Sequence, residues 1–73
     1  MHESDSVRKL NAFLERYAAA LEAHADRELS EAELALAEGD AAREAAHREA
    51  AVALRAKAVR VRQQSIPDLP FMR

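Results

Sequence analysis

The sequence lacks cysteine, tryptophan and threonine, and its 73 residues include one glycine, two prolines and three aromatic side chains. The absence of cysteine excludes disulfides, thiolate metal sites and cysteine nucleophiles. No Gly-rich phosphate loop is present, and a chain of this length offers no concave scaffold that would exclude water from a reaction. We therefore predict a protein that is not an enzyme, with no catalytic residue, no cofactor and no metal site.

Long apolar runs and a strong net charge are also missing. No run approaches the roughly 20 apolar residues of a membrane span, and residues 1–6 are polar and acidic, unlike a secretory signal. The formal charge of −2 at pH 7 gives no overall attraction to nucleic acid. We therefore expect a soluble, cytoplasmic protein without a membrane partner.

What remains reads as helix, with one clear interruption. Gly39 accepts the left-handed conformation that ends a helix, and Asp40 can cap the helix that follows. The sequence predicts an all-α, coiled-coil-like antiparallel two-helix hairpin with a first helix at about 5–38, a turn at 39–40, a second helix at about 41–64 and an extended apolar tail at 65–73. One alternative is a single helix through Gly39, at a cost of about 1 kcal/mol relative to alanine. Another is a break at Ser30, which has the spacing of a capping box.

Apolar residues of the first helix repeat with spacings of three, four and four. They are Val7, Leu10, Leu14, Ala18, Leu21, Ala25, Leu29, Ala32 and Leu36. An eleven-residue repeat of this kind favours straight packing over a heptad coiled coil. The second helix has one row of Ala50, Leu54, Ala58 and Val61, and beside it a row of Val52, Ala56 and Val59.

Charge is segregated along the chain: residues 22–40 carry seven acids and one base, and residues 41–73 carry seven bases and three acids. Folding about position 39.5 brings opposite charges together. The expected pairs are Arg48 with Glu31, Arg55 with Glu22 and Asp26, and Arg62 with Glu15. Because an exposed pair contributes less than about 1 kcal/mol, these charges are expected to set orientation more than stability.

The core of one hairpin is thin, because half of the 36 apolar side chains are alanines that bury little area. The longer first helix also extends about 15 Å beyond the second and exposes apolar residues. We therefore predict dimerisation into a four-helix bundle, and a role as a protein-interaction module such as an adaptor, small chaperone or regulatory subunit. The predicted contact residues are Val7, Leu10, Phe13, Leu14, Tyr17 and Leu21, with Ile66, Leu69 and Phe71 as a second set. The tail could instead cover the exposed end of the first helix.

Two further residue patterns indicate other functions. The basic end of the second helix, comprising Arg55, Lys57, Arg60 and Arg62, is the alternative of a small nucleic-acid-associated regulator, but no aromatic residues interleave these bases to stack on nucleotides. The second pattern indicates a metal-binding four-helix bundle. Glu44 and His47 have the Glu-x-x-His spacing of di-iron bundles, but such a site also needs carboxylates from other helices.

Two resemblances bear on function. Lys9, Leu10, Phe13, Leu14, Arg16 and Leu21 resemble the opening of the N-terminal coiled-coil docking segments of modular polyketide synthases, over about 13 residues of the chain. That resemblance implies a docking or oligomerisation segment of a larger assembly. The layout of two helices joined by a Gly-containing turn is similar to the small helical-hairpin chaperones of type III secretion needles, which implies a chaperone-like hairpin.

Overall fold

The computed structural model describes residues 5–64, which form two α-helices, α1 (Asp5–Ala37) and α2 (Ala41–Gln63). The helices pack against each other along their length as an antiparallel hairpin. The prediction of an all-α helical hairpin is therefore confirmed. The alternatives of one helix through Gly39 and of a break at Ser30 are wrong. The predicted tail at 65–73 lies outside the described residues.

The turn is built as the sequence predicts, by a glycine that ends α1 and an aspartate that caps α2. Gly39 has a φ of 78°, a conformation that side chains with a Cβ rarely adopt. The Asp40 N–H donates to the Ala35 carbonyl at 2.9 Å and the Gly39 N–H to the Leu36 carbonyl at 3.0 Å, the two bonds of a Schellman motif. The Asp40 carboxylate accepts from the Arg43 N–H at 3.0 Å. These bonds satisfy backbone groups at both helix ends and direct the chain back along α1.

The line of contact between the helices, here called the seam, has heptad spacing. The buried residues of α1 are spaced alternately four and three residues apart. The half-buried Glu28 occupies the position of this pattern that falls between Ala25 and Ala32. The seam residues are Leu14, Ala18, Leu21, Ala25, Glu28, Ala32 and Ala35 of α1 and His47, Ala51, Leu54, Ala58 and Val61 of α2. Such alternation is typical of coiled-coil packing.

The predicted eleven-residue stripe is therefore correct only in part: five of its nine residues are buried, but it departs from the seam at Leu29 and at both ends. Leu10 and Leu36 belong to that stripe, but both are exposed. Alanines occupy much of the contact side of α1, because small side chains let two helices approach closely. Near the turn the seam passes through Glu28 and Ala35, whereas the stripe passed through Leu29 and Leu36. In α2, Ala51 rather than Ala50 is buried, and the second row, Val52, Ala56 and Val59, faces solvent.

The seam differs in composition between its two halves. In the half far from the turn, here called the open half, the core cluster contains Leu14, Ala18, Leu21, Ala58 and Val61, and Leu54 packs against it. In the half next to the turn, here called the turn half, the buried residues are Ala25, Ala32, Ala35 and Ala51. The bulky side chains of the hairpin core therefore lie at the open half.

Candidate interaction surface

Three large apolar side chains of α1 lie beside the seam and remain exposed. Leu10, Phe13 and Tyr17 retain 43%, 55% and 38% of their accessible surface. Their spacing of three and four residues places them on one side of the helix. The Phe13 and Tyr17 rings stack at a centroid distance of 6.3 Å and an interplanar angle of 20°. We call this group the apolar edge.

The apolar edge borders α2 as well as α1. The Lys57 ammonium lies 5.8 Å from the centroid of the Tyr17 ring, a distance at which a cation is attracted to the aromatic face. Ala20 and Ala53, each about one helical turn nearer the hairpin turn, are also exposed. Small exposed side chains, those of Ala20 and Ala53, therefore lie next to the apolar edge on the side of the hairpin turn.

The opposite side of the hairpin is occupied by ion pairs. The Arg62 guanidinium binds Glu15 at 2.8 Å and Glu22 at 2.5 Å, and Arg55 binds Asp26 at 2.9 Å. The contacts of Arg62 with Glu15 and of Arg55 with Asp26 agree with the pairs expected from folding the chain. Glu22 was expected to meet Arg55 and meets Arg62 instead. One edge is thus apolar and the other charged.

The expected pair of Arg48 with Glu31 does not form. Arg48 Nε donates instead to Glu44, one turn earlier in α2, at 2.9 Å. Glu28 faces His47, so in the antiparallel hairpin Arg48 lies at the level of Arg27. Glu31 is about one helical turn away from that level. The expected register was therefore shifted relative to the structure.

The ion pairs change the acidity of the carboxylates and the charge that α2 presents. Hydrogen bonds from the Arg62 guanidinium lower the pKa of Glu15 and the pKa of Glu22 below the usual value for glutamate. Because Arg55 and Arg62 already bind carboxylates of α1, the basic end of α2 presents less positive charge than its sequence suggests. This arrangement weakens the argument for nucleic-acid binding.

A polar layer in the seam was not anticipated from the sequence. His47 Nδ1 lies 2.7 Å from Glu28 Oε1, and His24 Nε2 lies 3.5 Å from Glu28 Oε2. The hydrogen bond with His47 is the main reason that the pKa of Glu28 lies below its usual value. The signal in the sequence was the heptad count, which places Glu28 and His47 at seam positions of the two helices.

The polar layer consists of contacts between one carboxylate and two imidazoles. Its two imidazoles face different oxygens of one carboxylate, and Glu44 is paired with Arg48. Among residues 5–64, no group of three or more histidine, aspartate or glutamate side chains is arranged to hold a metal ion. Glu44 and His47 have the Glu-x-x-His spacing but different partners: Glu44 binds Arg48, and His47 contacts Glu28.

The predicted contact residues separate into two groups in the structure. Leu14 and Leu21 retain only 8% of their accessible surface and pack against α2 in the hairpin's own core. Leu14 was predicted to contact a partner and lies in the paired part of α1 instead, and Val7 is half-buried. Leu10, Phe13 and Tyr17 remain at the surface. Ile66, Leu69 and Phe71 lie outside the described residues.

Comparison of the chain with protein-family models, with curated proteins and with solved structures finds no match. Within residues 5–64, neither helix is long and apolar enough to cross a bilayer.

Proposed function

We propose that this protein is a small non-enzymatic protein-interaction module that acts as an adaptor, small chaperone or regulatory subunit. The observation that carries the proposal is the apolar edge, where Leu10, Phe13 and Tyr17 are exposed together. Leucine and aromatic side chains side by side at the surface are typical of a binding site for another protein. Within residues 5–64, the other exposed large apolar residues lie elsewhere on the hairpin: Leu34, Leu36, Val52 and Val59.

The simplest partner is a second copy of the chain. Two hairpins that bring their apolar edges together form a four-helix bundle, in which Ala20 and Ala53 allow the helices to approach. The ion pairs of Arg55 and Arg62 lie on the other side and stay in water. They join α2 to α1 and so favour the antiparallel pairing within each hairpin.

The size of the apolar edge sets the expected affinity. Three partly exposed side chains bury far less than the roughly 800 Å² per partner of a standard stable interface. We therefore expect a weak dimer whose population rises with protein concentration, and a surface that a larger partner can also use.

The test is sedimentation velocity on two matched double variants at a concentration where the unaltered protein associates. Leu10→Ser with Phe13→Ser removes most of the apolar edge, and we expect association to be lost. Val52→Ser with Val59→Ser removes two exposed apolar residues from another face, where Val52 retains 70% of its surface, and we expect association to be unchanged. Circular dichroism verifies that both variants keep the helical content of the hairpin.

Equal association in the two double variants would contradict the proposal. So would loss of association in the valine variant alone, which would transfer the binding surface to the outer face of α2.

A further inference from the structure

The end of α2 lies beside the apolar edge. Tyr17 and Lys57 are adjacent, and α1 and α2 run in opposite directions. Leu10 is seven residues before Tyr17, and Gln64 is seven residues after Lys57, so the same two helical turns bring Gln64 level with Leu10. The Gln64 N–H donates to the Val61 carbonyl at 3.0 Å, which closes the last turn of α2. The chain therefore leaves α2 next to Leu10.

The length and composition of the following segment suit this location. Residues 65–73 are nine residues, which reach at most about 30 Å. The apolar edge from Leu10 to Tyr17 is only about 10 Å long, at 1.5 Å per residue. Four of the nine residues are large and apolar: Ile66, Leu69, Phe71 and Met72. The segment is thus long enough and apolar enough to cover the apolar edge of its own chain.

We propose that residues 65–73 bind the apolar edge within the same chain and compete there with the protein partner. The inference rests on the proposed function in one respect, because both assign a binding role to the same three side chains. Covering the apolar edge removes Leu10 and Phe13 from water, and a partner must displace the segment before it binds.

Tethering favours the segment over a second copy at low protein concentration. A covalent tether of a few residues gives an effective concentration in the millimolar range, whereas a second copy competes at its actual concentration. The segment therefore acts as a built-in limit on association. Partner binding is reduced by the fraction of chains in which the apolar edge is covered.

The direct test is nuclear Overhauser spectroscopy of the full chain at a concentration where it is monomeric. The chain has two phenylalanines and one tyrosine, so labelling phenylalanine with ¹³C gives a spectrum with few ring signals. The Phe13 to Tyr17 cross-peak, from rings 6.3 Å apart, is the internal positive control. We expect additional cross-peaks from the Phe71 ring to Leu10, Phe13 or Tyr17. Phe71 is seven residues beyond Gln64, so these cross-peaks require the segment to bind.

A mixture of labelled and unlabelled chains identifies the molecule that supplies the segment. Cross-peaks that appear within one chain and are absent between chains support the proposal. Absence of Phe71 cross-peaks while the Phe13 to Tyr17 cross-peak is present would overturn it. Cross-peaks seen only between chains would also overturn it, because the segment would then belong to a second copy.

A pair of variants tests the competition separately. Replacing Leu69 and Phe71 with serine should remove the Phe71 cross-peaks and tighten association through the apolar edge by about tenfold or more. The matched control, Glu49→Ser, changes an exposed polar residue of α2 that belongs neither to the segment nor to the apolar edge, and it should leave association unchanged. Equal association in the Leu69 and Phe71 variant and in the unaltered chain would contradict the competition. Failure of the proposed function is recognised differently, by association that persists after Leu10→Ser with Phe13→Ser.

Discussion

The turn half of the hairpin packs on alanine, whereas the open half packs on leucine and valine. Ala25, Ala32, Ala35 and Ala51 line the first, and Leu14, Leu21, Leu54 and Val61 line the second. A leucine side chain buries several times the apolar area of an alanine methyl, so most of the hydrophobic stabilisation lies in the open half. The turn half depends on close helix approach, on the turn itself and on the layer formed by Glu28 and His47.

The two halves should therefore respond to opposite substitutions. Loss of volume is most damaging in the open half, where large side chains meet, and gain of volume is most damaging in the turn half, where there is no room. The first two predictions test this difference directly.

The largest effect is expected for Leu21→Ala in the open half. Removing a leucine from the core cluster should lower the free energy of unfolding by about 2–4 kcal/mol. For a chain of this size, that is a large part of a total stability of roughly 4–10 kcal/mol. Urea unfolding followed by circular dichroism measures the change. The matched control, Leu34→Ala, removes an exposed leucine of the same helix and should change stability by less than about 0.5 kcal/mol. Similar losses in both variants would contradict the proposed distribution of stability.

The next largest effect is expected for Ala32→Leu in the turn half. Ala32 is fully buried between the helices, so a leucine there must separate them and should cost about 1–3 kcal/mol. The control Ala23→Leu introduces the same side chain at an exposed position of α1 and should be nearly neutral. If Ala32→Leu stabilises the hairpin in thermal unfolding, the turn half is not closely packed.

A smaller effect is expected for Asp40→Ala, which removes the cap of α2 at the turn. Loss of the hydrogen bond from the Arg43 N–H to the Asp40 carboxylate should cost about 1 kcal/mol. Hydrogen exchange should show the loss first in the turn half, because that half has fewer large buried side chains. Glu49→Ala, at an exposed position of α2, is the control and should have little effect on either measurement. Equal protection of the turn half with and without Asp40 would argue against this role for the cap.

The smallest effect is a dependence on acid. The folded-state pKa values of Glu15 and Glu22 are lowered by Arg62, and that of Glu28 is lowered by His47. The unfolded chain therefore takes up protons first as pH falls, so the stabilisation is present above the ordinary glutamate pKa near 4.5 and is lost as pH falls through the lower folded values.

Arg62 lowers the pKa values of glutamates in the open half only, so replacing it tests the acid dependence of that half alone. Arg62→Gln should make the fall in stability below pH 4.5 less steep, because only the contribution of Glu28 in the turn half remains. Urea unfolding at pH 7, 4 and 3 measures the slope. Arg60→Gln removes a charge from the same turn of α2 and should keep the slope of the unaltered protein. An unchanged slope in Arg62→Gln would show that Glu15 and Glu22 are not responsible.

The hairpin could be predicted because its signals are local. Gly39 and Asp40 determine the turn by backbone conformation and capping, and both act within a few residues of the chain. The middle of the seam could also be predicted, but its register near the turn could not, because the stripe continues through Leu29 and Leu36 while the seam continues through Glu28 and Ala35.

The candidate site was predictable in part for the same reason. The apolar character of Leu10, Phe13 and Tyr17 is visible in the sequence, but the division between these residues and the buried Leu14 and Leu21 depends on the heptad register. The layer of Glu28 with His47 depends on that register too, because it joins residues of different helices. Pairings between helices depend on how the helices pack, so an error of one helical turn in the register gives every residue a different partner.

The most direct test of the central claim, that the apolar edge binds a second copy of the chain, is the absolute mass in solution. Light scattering during size-exclusion chromatography would be measured over a hundredfold range of concentration, on the unaltered chain and on the variant with serine at positions 69 and 71. We predict a mass that rises from that of one 8.1 kDa chain towards twice that value, at lower concentration in the variant. A mass that stays at one chain in both proteins, at every concentration, would contradict self-association through the apolar edge.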